Sequence, residues 1–552
     1  MKNIKDNFAL YALIIGLFLT FSHATQAATY TVNSILDPGV VAGCDAIECT
    51  LREAIVAANA TADDDIINFD PIVFNTAQTI TLNGTRLTIA NNGKLTINGT
   101  GANQLTVSGN DVSQVFFINT GTTAEINNLT VSNANGGNQN GGGIANSGTL
   151  TLTNLIISNS RTTAGGGGVT NFGILTLNSL TVSGNSGANG GGITNFGSTL
   201  TVNNSIISGN TGRDGGGIFN NGTTEINNST VRDNTASIAG GGLFNNRDRT
   251  LTLNNSTVSG NVSNGAQIQN GTGGGGIANG SGVGGTGGGT LTVNNSTISG
   301  NSATADGGGI FAQGANSVTT LNNSTISNNT AVRGGGIRNN GRPFTINNSI
   351  IANSTSNSTN ADCSGFTNIS ASYSLIESSL DCVGGTNLNN LTGDPNLGPL
   401  QNNGGSTLTH ALLAGSIAID KGNSTLTTDQ RGFPRPVDNF TIPNAMGGNG
   451  SDIGAFEVQA PTAASVTIGG RVSSGKRGLA RATVYLTDQN GSVRTARTNS
   501  FGYYQFEDIE VGQTLIVNVF HKQYQFDPQV VSLNEAMENL NFTPQNSVTK
   551  QR

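Results

Sequence analysis

Apolar residues recur along the middle of this chain in three columns, and neighbouring members of a column are usually 24 to 28 residues apart. The first column consists of Ile126, Leu152, Leu177, Val202, Ile226, Leu253, Val293, Leu321 and Ile346. The second lies five residues later and consists of Val131, Ile157, Val182, Ile207, Val231, Val258, Ile298, Ile326 and Ile351. The third follows glycine triplets and consists of Ile144, Val169, Ile193, Ile218, Leu243, Ile277, Ile310 and Ile337. Because so short a repeat cannot bury its own apolar face, such repeats stack as a solenoid.

Apolar and polar residues alternate within each repeat. In the segment LTVNNSIIS, Leu200, Val202 and Ile207 point one way, whereas Thr201 and Ser208 point the other. Alternation with period two and β-branched residues indicates short strands, and the Gly and Asn residues between them indicate turns. No helical pattern separates the strands, so the sequence predicts an all-β solenoid, a parallel β-helix.

Pairs of asparagines follow the first column in most repeats. An amide offers both a donor and an acceptor, so stacked asparagines can bond along the solenoid, and Asn tolerates the left-handed backbone of a tight corner. The sequence therefore predicts a structural ladder through Asn128, Asn204, Asn228, Asn255, Asn295, Asn323 and Asn348. A second asparagine column follows the glycines: Asn146, Asn171, Asn195, Asn220, Asn245, Asn279 and Asn339.

The N-terminal end of the solenoid needs a cap, because an open coil exposes unpaired strand edges. The segment CTLREAIVAAN contains a capping box formed by Thr50 and Glu53. It is followed by one apolar helical face, formed by Leu51, Ala54, Ile55 and Ala58. We predict a short helix that covers the first coil with that face.

The start of the chain is typical of a secretory signal. Lys2 and Lys5 precede a short apolar run, Phe8–Phe21, and small residues follow, so residues 1–27 are predicted to be a signal peptide. An uncleaved membrane anchor is the alternative, and no later stretch could cross a membrane. The formal charge of −7 argues against a nucleic-acid partner, and only 10% of the residues are charged.

Four cysteines form two local pairs, Cys44 with Cys49 and Cys363 with Cys382. In an exported chain, such pairs indicate disulfides. A zinc site is the alternative, but the cysteines do not follow metal-ligand spacings. The sequence predicts no cofactor and no metal. The run Asp63–Asp65 could hold calcium, although it matches no known loop and is interpreted as a solvated turn.

Three stretches resemble known families. The segment CDAIECTLREAI resembles the CSLREA-type N-terminal region of secreted bacterial β-helix proteins, with Thr50 in place of the serine. The Gly-Asn repeats are similar to the right-handed parallel β-helix repeats of polymorphic outer-membrane proteins. The stretch from GDPNLGPLQNNGG to DIGAFE resembles the choice-of-anchor Q region that closes such helices.

The C-terminal part has a different composition. Alternating strands with turns at Asn490-Gly491 and Gly502 predict a small β-sandwich, which resembles the non-catalytic carboxypeptidase regulatory-like domains. The predicted organisation is a signal peptide (1–27), an N-terminal cap (28–79), β-helix repeats (80–348), a closing region (349–458), a linker (459–465), a sandwich (466–544) and a tail (545–552).

Charged residues are scarce in the repeats. Asp214, Asp306 and Arg333 occupy the same repeat position, directly before GGG. One interpretation makes Asp214 and Asp306 part of a catalytic carboxylate cluster, since polysaccharide-degrading enzymes use carboxylates for acid–base work. The interpretation that we prefer is solvent-facing turn charges, so no catalytic residue is predicted.

Two further rows could contact sugars. An aromatic row, which could instead pack at the coil corners, comprises Phe172, Phe196, Phe219, Phe244 and Phe311. A threonine column, which suits exposed strand positions or a binding face, comprises Thr130, Thr181, Thr230, Thr257, Thr297 and Thr325. In the closing region, an ion-paired lock on the last coil is predicted from Asp429, Arg431, Arg435, Asp452 and Glu457.

These features favour an exported, non-enzymatic β-helix protein, secreted or at the cell surface, that acts in display or adhesion or binds an extracellular glycan. The alternative is a polysaccharide lyase or glycoside hydrolase that acts on an extracellular glycan.

Overall fold

The computed structural model describes residues 27–39, 43–90, 93–265, 272–280, 287–314, 316–341, 343–357, 361–366, 368–459, 465–489, 491–533 and 535–544. The predicted signal lies outside these residues except for Ala27, and so do the tail and most of the linker. The chain divides into two compact units: residues 1–252, 258–291 and 301–317, and residues 253–257, 292–300 and 318–552. The described residues confirm an all-β parallel solenoid with one helix and small antiparallel sheets near the C-terminus.

In the first unit, short parallel strands form four sheets. Sheet I contains Thr29–Val32, Asp65–Phe69, Lys94–Asn98, Thr123–Asn127, Thr149–Thr153, Ile174–Asn178, Thr199–Asn203 and Thr223–Asn227. Sheet II contains Gln78–Thr81, Leu105–Ser108, Thr130–Ser132, Ile156–Ser158, Thr181–Ser183, Ile206–Ser208 and Thr230–Arg232. Sheet III contains Leu87–Ile89, Phe116–Ile118, Ile144–Asn146, Val169–Asn171, Ile193–Asn195, Ile218–Asn220, Leu243–Asn245, Ile277–Asn279 and Ile310–Gly314. Sheet IV contains Thr211–Asp214, Thr235–Ala239, Val262–Ser263 and Ser302–Asp306.

The register of these strands places the repeat columns opposite one another. Thr149–Thr153 pairs in parallel with Ile174–Asn178, so Leu152 lies opposite Leu177. Leu177 in turn lies opposite Val202 in the next strand. All three side chains are fully buried, which shows that stacking buries the apolar face that a single repeat leaves open.

The asparagine ladder runs one residue earlier than predicted. Its amide bonds join the first asparagine of each pair: Asn203 Nδ2 donates to Asn178 Oδ1 at 2.9 Å, and Asn227 Nδ2 donates to Asn203 Oδ1 at 3.0 Å. The predicted residues instead form the corner, and all seven have a positive φ: Asn128, Asn204, Asn228, Asn255, Asn295, Asn323 and Asn348. Three of them nevertheless make amide bonds along the stack: Asn128 Oδ1 accepts from Asn154 Nδ2, and Asn295 Nδ2 donates to Asn255 Oδ1. The difference arises because the second residue needs the left-handed backbone, whereas the first is still in the strand.

Two more ladders are fully inside the first unit. The predicted column after the glycines is one of them: consecutive amide bonds of 2.8 to 3.1 Å join Asn146, Asn171, Asn195, Asn220, Asn245 and Asn279. The other joins Asn185, Asn210, Asn234, Asn261 and Asn301. Each Nδ2 of this ladder from Asn185 to Asn301 also donates to a backbone carbonyl, so these buried amides are well satisfied.

The predicted N-terminal helix is present as Leu51–Asn59. Thr50 Oγ1 accepts from the Glu53 amide at 3.2 Å, and Glu53 Oε2 accepts from the Thr50 amide at 2.9 Å, which completes the capping box. Asn59 bonds to both Thr88 and Ala90, so the helix is fastened beside the first strand of sheet III. A disulfide joins Cys44 to Cys49 just before the helix.

The second unit contains strands of the same four types. Those of sheet I are Val318–Asn322, Phe344–Asn347, Ile369–Ser372 and Asn387–Leu388, and those of sheet II are Thr297–Ser299, Thr325–Ser327, Ile350–Ala352 and Leu375–Ile376. Those of sheet III are Ile337–Gly341 and Cys363–Gly365, and those of sheet IV are Thr330–Arg333 and Thr355–Ser356. Three further solenoid strands span a unit boundary: Thr250–Asn254, Thr257–Ser259 and Thr290–Asn294. An antiparallel pair follows, Leu397–Gln401 with Thr409–Leu412, and a disulfide joins Cys363 to Cys382.

The C-terminal strands of the second unit are antiparallel. Ser465–Arg471 pairs with Tyr503–Glu510, and Ser473–Ser474 pairs with Arg477–Gly478. A four-stranded sheet has the order Val493–Arg497, Thr483–Thr487, Gln513–Phe520 and Gln529–Leu533. Buried residues from both larger sheets, such as Ile468, Val484 and Leu515, share one core. None of the helices in the described ranges is long and apolar enough to span a membrane.

Candidate functional site

The two carboxylates singled out in the repeats do not meet. Asp214 lies opposite Ala239, Ala239 opposite Gly273, and Gly273 opposite Asp306 along sheet IV. Three strand spacings of about 4.8 Å separate the two aspartates by about 14 Å. Paired carboxyl groups of glycoside hydrolases are only about 5 to 9.5 Å apart, so Asp214 and Asp306 cannot act as such a pair.

Asp214 lies beside Arg213. Burial raises its pKa, and the Arg213 guanidinium, 3.7 Å away, opposes that shift. Asp306 is 1% exposed, so the preferred interpretation of it as a solvent-facing turn charge is wrong. The pair therefore supplies one half-shielded carboxyl beside an arginine and one buried carboxyl, without a shared reaction centre.

The acidic run near the cap is used by the fold. Asp65 Oδ1 accepts from the Ala28 amide at 2.9 Å, and Asp64 Oδ1 accepts from the Lys94 amide at 2.7 Å. These bonds fasten the start of sheet I. Across the described ranges, no three His, Cys, Asp or Glu side chains are grouped so that they could hold a metal ion.

Part of the threonine column is covered. In the second unit, Thr257, Thr297 and Thr325 are at most 2% exposed. Thr257 Oγ1 donates to Leu408 O at 2.7 Å, Thr297 Oγ1 donates to Gln430 Oε1 at 2.6 Å, and Thr325 Oγ1 accepts from the Ala455 amide at 3.0 Å. Both interpretations of the column needed exposed side chains and are wrong for these three, because residues 407–455 lie along them.

The predicted ion-paired lock therefore lies along the flank of several coils. We call residues 397–458 the clasp. Besides the threonines, it is fastened by His410 Nε2, which lies 2.8 Å from Ser299 Oγ, and by Asn323 Nδ2, which donates to Ser424 Oγ at 2.8 Å. Burial lowers the pKa of His410, which favours the neutral ring that this dry contact needs.

The five residues predicted to form the ion-paired lock are all buried: Asp429, Arg431, Arg435, Asp452 and Glu457. Arg431 Nη2 lies 2.6 Å from Asp429 Oδ2, and its guanidinium lies 3.6 Å from the centroid of the Phe456 ring. Arg435 Nε donates to Glu457 Oε2 at 2.7 Å. Its Nη1 and Nη2 have no hydrogen-bond partner within the described residues. These groups stabilise the clasp and are closed to solvent.

Asp452 and Glu457 carry two carboxyl groups whose charges interact with each other and with Arg435. Glu457 Oε2 accepts from the Asp452 amide at 3.0 Å. Burial and the nearby Glu457 charge raise the pKa of Asp452 to about 8. Burial also raises the pKa of Glu457, against the opposing effect of Arg435. The structure therefore favours one proton on this carboxyl pair at neutral pH.

Four members of the aromatic row form a continuous series of ring contacts in the first unit, two stacked and one edge-to-face. Neighbouring ring centroids are 5.4 to 5.9 Å apart from Phe172 through Phe196 and Phe219 to Phe244. Phe219 and Phe244 are under 9% exposed, whereas Phe172 is 43% exposed. The row is therefore mainly a packing feature, with one open end at Phe172.

A cleft between the early coils was not predicted from the sequence. Its volume is about 430 Å³, and its walls come from three turns of the first unit. The lining residues are Gly84, Thr85, Arg86, Val112, Ser113, Gln114, Asn135, Gly136, Gly137 and Gln139. Each turn lies between a sheet II strand and the following sheet III strand, so the stacking of coils brings residues up to 55 positions apart into one cavity.

Arg86 is the only charged residue among those lining residues. Its guanidinium stacks on Phe117 of the next coil, 3.9 Å from the ring centroid. Its Nη1 donates to Gln114 Oε1 at 3.2 Å and to Gln139 Oε1 at 3.0 Å. Gln114 is itself held by bonds from its Nε2 to Asn140 O and Gly141 O. Partial burial lowers the pKa of Arg86.

The N-terminal helix positions the Arg86 turn. Arg52 Nη2 donates to Thr85 O at 2.7 Å, and Arg52 Nη1 donates to Arg86 O at 3.1 Å. Arg52 is fixed by Asp37, 2.6 Å from its Nε, and Asp37 also accepts from the Asn83 amide. Burial acts to raise the pKa of Asp37, but these hydrogen bonds and the Arg52 charge lower it overall.

Asp111, the residue directly before Val112 in the cleft wall, already forms an ion pair. Asp111 Oδ1 lies 2.5 Å from Arg161 Nη1, and both side chains are about half exposed. The charge of Asp111 is therefore offset locally. A sequence signal for this site does exist: Arg86 is the first cation after the LREA segment, directly before an apolar strand, but periodicity cannot show which turns converge on it.

Comparisons with known proteins assign no family. No protein-family model matches the sequence. No curated protein matches it either. Among solved structures, the chain is similar to "Crystal structure of pectate lyase Pel9A", with a TM-score of 0.40 and 15% identity, covering 78% of this chain and 97% of that chain. The assignment as a parallel β-solenoid rests on the strand registers given above.

Proposed function

We propose that this protein is an exported, non-enzymatic β-solenoid that binds an extracellular glycan in the Arg86 cleft. The observation that carries the proposal is the composition of the cleft. Its exposed polar groups are the hydroxyl of Thr85 and the amide of Gln139, beside one oriented guanidinium, while the buried Gln114 holds that guanidinium in place. Such sites bind polar ligands through a few well-placed hydrogen bonds.

The same composition favours binding over catalysis. Acid–base catalysis of glycan cleavage uses a positioned carboxyl, imidazole or comparable proton carrier. Among the lining residues there is no Asp, Glu, His, Lys or Tyr. Arg86 remains protonated at physiological pH, so it stabilises negative charge and does not take up a proton.

Export is supported by two features. The disulfides Cys44–Cys49 and Cys363–Cys382 fit an oxidising compartment. The predicted signal at residues 1–27 agrees with them, although it lies almost wholly outside the described residues. The domain boundaries and family resemblances of the closing region and the sandwich remain predictions.

Binding and cleavage can be separated by one experiment. The purified chain is applied to immobilised neutral and acidic glycans, and the same glycans in solution are assayed for new reducing ends and unsaturated products. We expect retention on at least one glycan without product formation. Product formation that Asp214→Asn or Asp306→Asn abolishes would contradict the proposal and support the polysaccharide-degrading alternative.

A further inference from the structure

Arg86 bonds to neutral groups in the part of the chain that the structure describes. The two groups bonded to its Nη1 are the neutral amides of Gln114 and Gln139. No carboxylate pairs with Arg86 within the described residues. A fixed cation in a cleft of neutral dipoles attracts an anionic group, because the charge-assisted bond is about twice as strong as a neutral one.

The guanidinium is also held in one orientation. Stacking on Phe117 fixes its plane, and the two Nη1 bonds fix its rotation. The Nε and Nη2 donors make no hydrogen bond to the described residues. These two donors form the planar fork that matches the two oxygens of a carboxylate.

The rest of the cleft suits the ring and hydroxyl groups of a sugar. Thr85 and Gln139 are exposed at the cleft and offer a neutral hydroxyl and a neutral amide beside Arg86. Val112 is 60% exposed at the same cleft and gives an apolar contact for a ring face. The cleft volume of about 430 Å³ is in the range of about 300 to 1,000 Å³ that small-ligand sites occupy.

We propose that the Arg86 cleft binds a carboxylate-bearing sugar, with the carboxylate on the Nε/Nη2 edge of Arg86. This proposal rests on the proposed function and names the chemical class of the glycan. Glycan binding by itself would not require the charge.

A matched pair of ligands tests the role of the charge. Isothermal titration of the full chain uses a short uronic-acid oligosaccharide and its methyl ester, which has the same ring and no charge. We expect the acid to bind at least about tenfold more tightly than the ester, the size of one charge-assisted bond. Arg86→Gln should remove this preference, while Arg232→Gln, at an exposed ion pair with Asp233, should keep it.

A second variant tests the same point without touching Arg86. Gly137 lines the cleft and has a φ of +55°. A Cβ atom added to it would have no other atom within 4 Å. Asp and Asn both tolerate this backbone. Gly137→Asp adds a negative charge that repels the carboxylate of the ligand, so it should weaken binding of the acid several-fold. The neutral Gly137→Asn should change this affinity little.

The outcomes separate the two proposals. Equal affinity for acid and ester would overturn the carboxylate proposal and leave glycan binding in place. Acid binding that survives Arg86→Gln, with the variant melting at the wild-type temperature, would overturn the cleft as its site. Failure of the chain to bind either ligand, or any glycan on the panel, would overturn both.

Discussion

Arg86 in the first unit and Arg431 in the second have similar aromatic contacts and opposite electrostatics. Each guanidinium stacks on a phenylalanine ring, at 3.9 Å for Arg86 and 3.6 Å for Arg431. Arg431 is 9% exposed and bonds to Asp429 through both Nε and Nη2. Arg86 is half-buried and bonds to neutral amides through Nη1 alone.

The difference lies in which edge of the guanidinium the protein uses. In Arg431, the Nε/Nη2 edge is closed by a carboxylate of the same chain. In Arg86, that edge makes no hydrogen bond to the described residues, and it is the edge proposed to bind the sugar carboxylate. A stacked arginine therefore has a structural role where a carboxylate of the same chain bonds to its Nε/Nη2 edge. It is a candidate for ligand binding where no such carboxylate does.

The largest effect, on the free energy of unfolding, is expected from breaking the Asp429–Arg431 ion pair. Asp429→Asn leaves the Arg431 charge buried without its counter-charge and should lower the free energy of unfolding by about 3 to 5 kcal/mol. Urea denaturation measures the change. The matched control is Asp111→Asn, which breaks an ion pair with both side chains about half exposed and should change stability little. Equal effects of the two variants would contradict the structural role of Arg431.

A loss of stability that depends on pH is expected when the clasp is titrated. The folded chain holds the Asp452 proton to about pH 8, whereas an unfolded aspartate releases it near pH 4. The folded state therefore binds more protons between these values, and the free energy of unfolding should fall as pH rises through them. Urea midpoints from pH 5 to 9 measure the slope. Asp452→Asn should flatten it, whatever that variant's absolute stability; an unchanged slope would show that other groups produce it.

Arg86→Lys tests whether the Nε/Nη2 edge of Arg86 contributes more to binding than its charge alone. Lysine keeps the charge but loses the planar fork and the stacking on Phe117. Affinity for the acidic sugar should fall about three- to tenfold, less than in Arg86→Gln. Titration calorimetry measures the affinity of the variant for the acidic sugar and for its methyl ester. Wild-type affinity in the lysine variant would mean that a point charge is sufficient.

The smallest effect concerns the residue that positions the turn. Arg52→Gln loses the Asp37 ion pair and weakens the hold on the carbonyls of Thr85 and Arg86. Affinity for the acidic sugar should fall about threefold, with part of the preference for acid over ester lost. A merely structural role of Arg52 would lower the melting temperature and leave that preference intact.

Most of the fold could be predicted from the sequence because one period governs it. Repeats such as Leu152, Leu177 and Val202 fix the register, and the capping box at Thr50 and Glu53 marks the helix. The assignment of the ladder to the second asparagine was off by one residue, since amide chemistry alone does not show which residue turns the corner.

The candidate site could not be predicted because it depends on contacts between turns of different coils. Nothing in the spacing of Arg86, Gln114 and Gln139 shows that they meet, and none of the three is in a repeated column. The covered threonines were missed for a similar reason. Thr257 and Leu408 are 151 residues apart, and no local pattern links them.

The most direct test of the account measures two properties in two variants, Arg86→Gln and Arg431→Gln. Arg86→Gln should lose the preference for the acidic sugar and keep its free energy of unfolding within about 1 kcal/mol of the wild type. Arg431→Gln should lose about 3 to 5 kcal/mol of stability and, under conditions in which it is folded, keep the preference. The opposite assignment, with Arg86 needed for stability and Arg431 for sugar binding, would contradict the account.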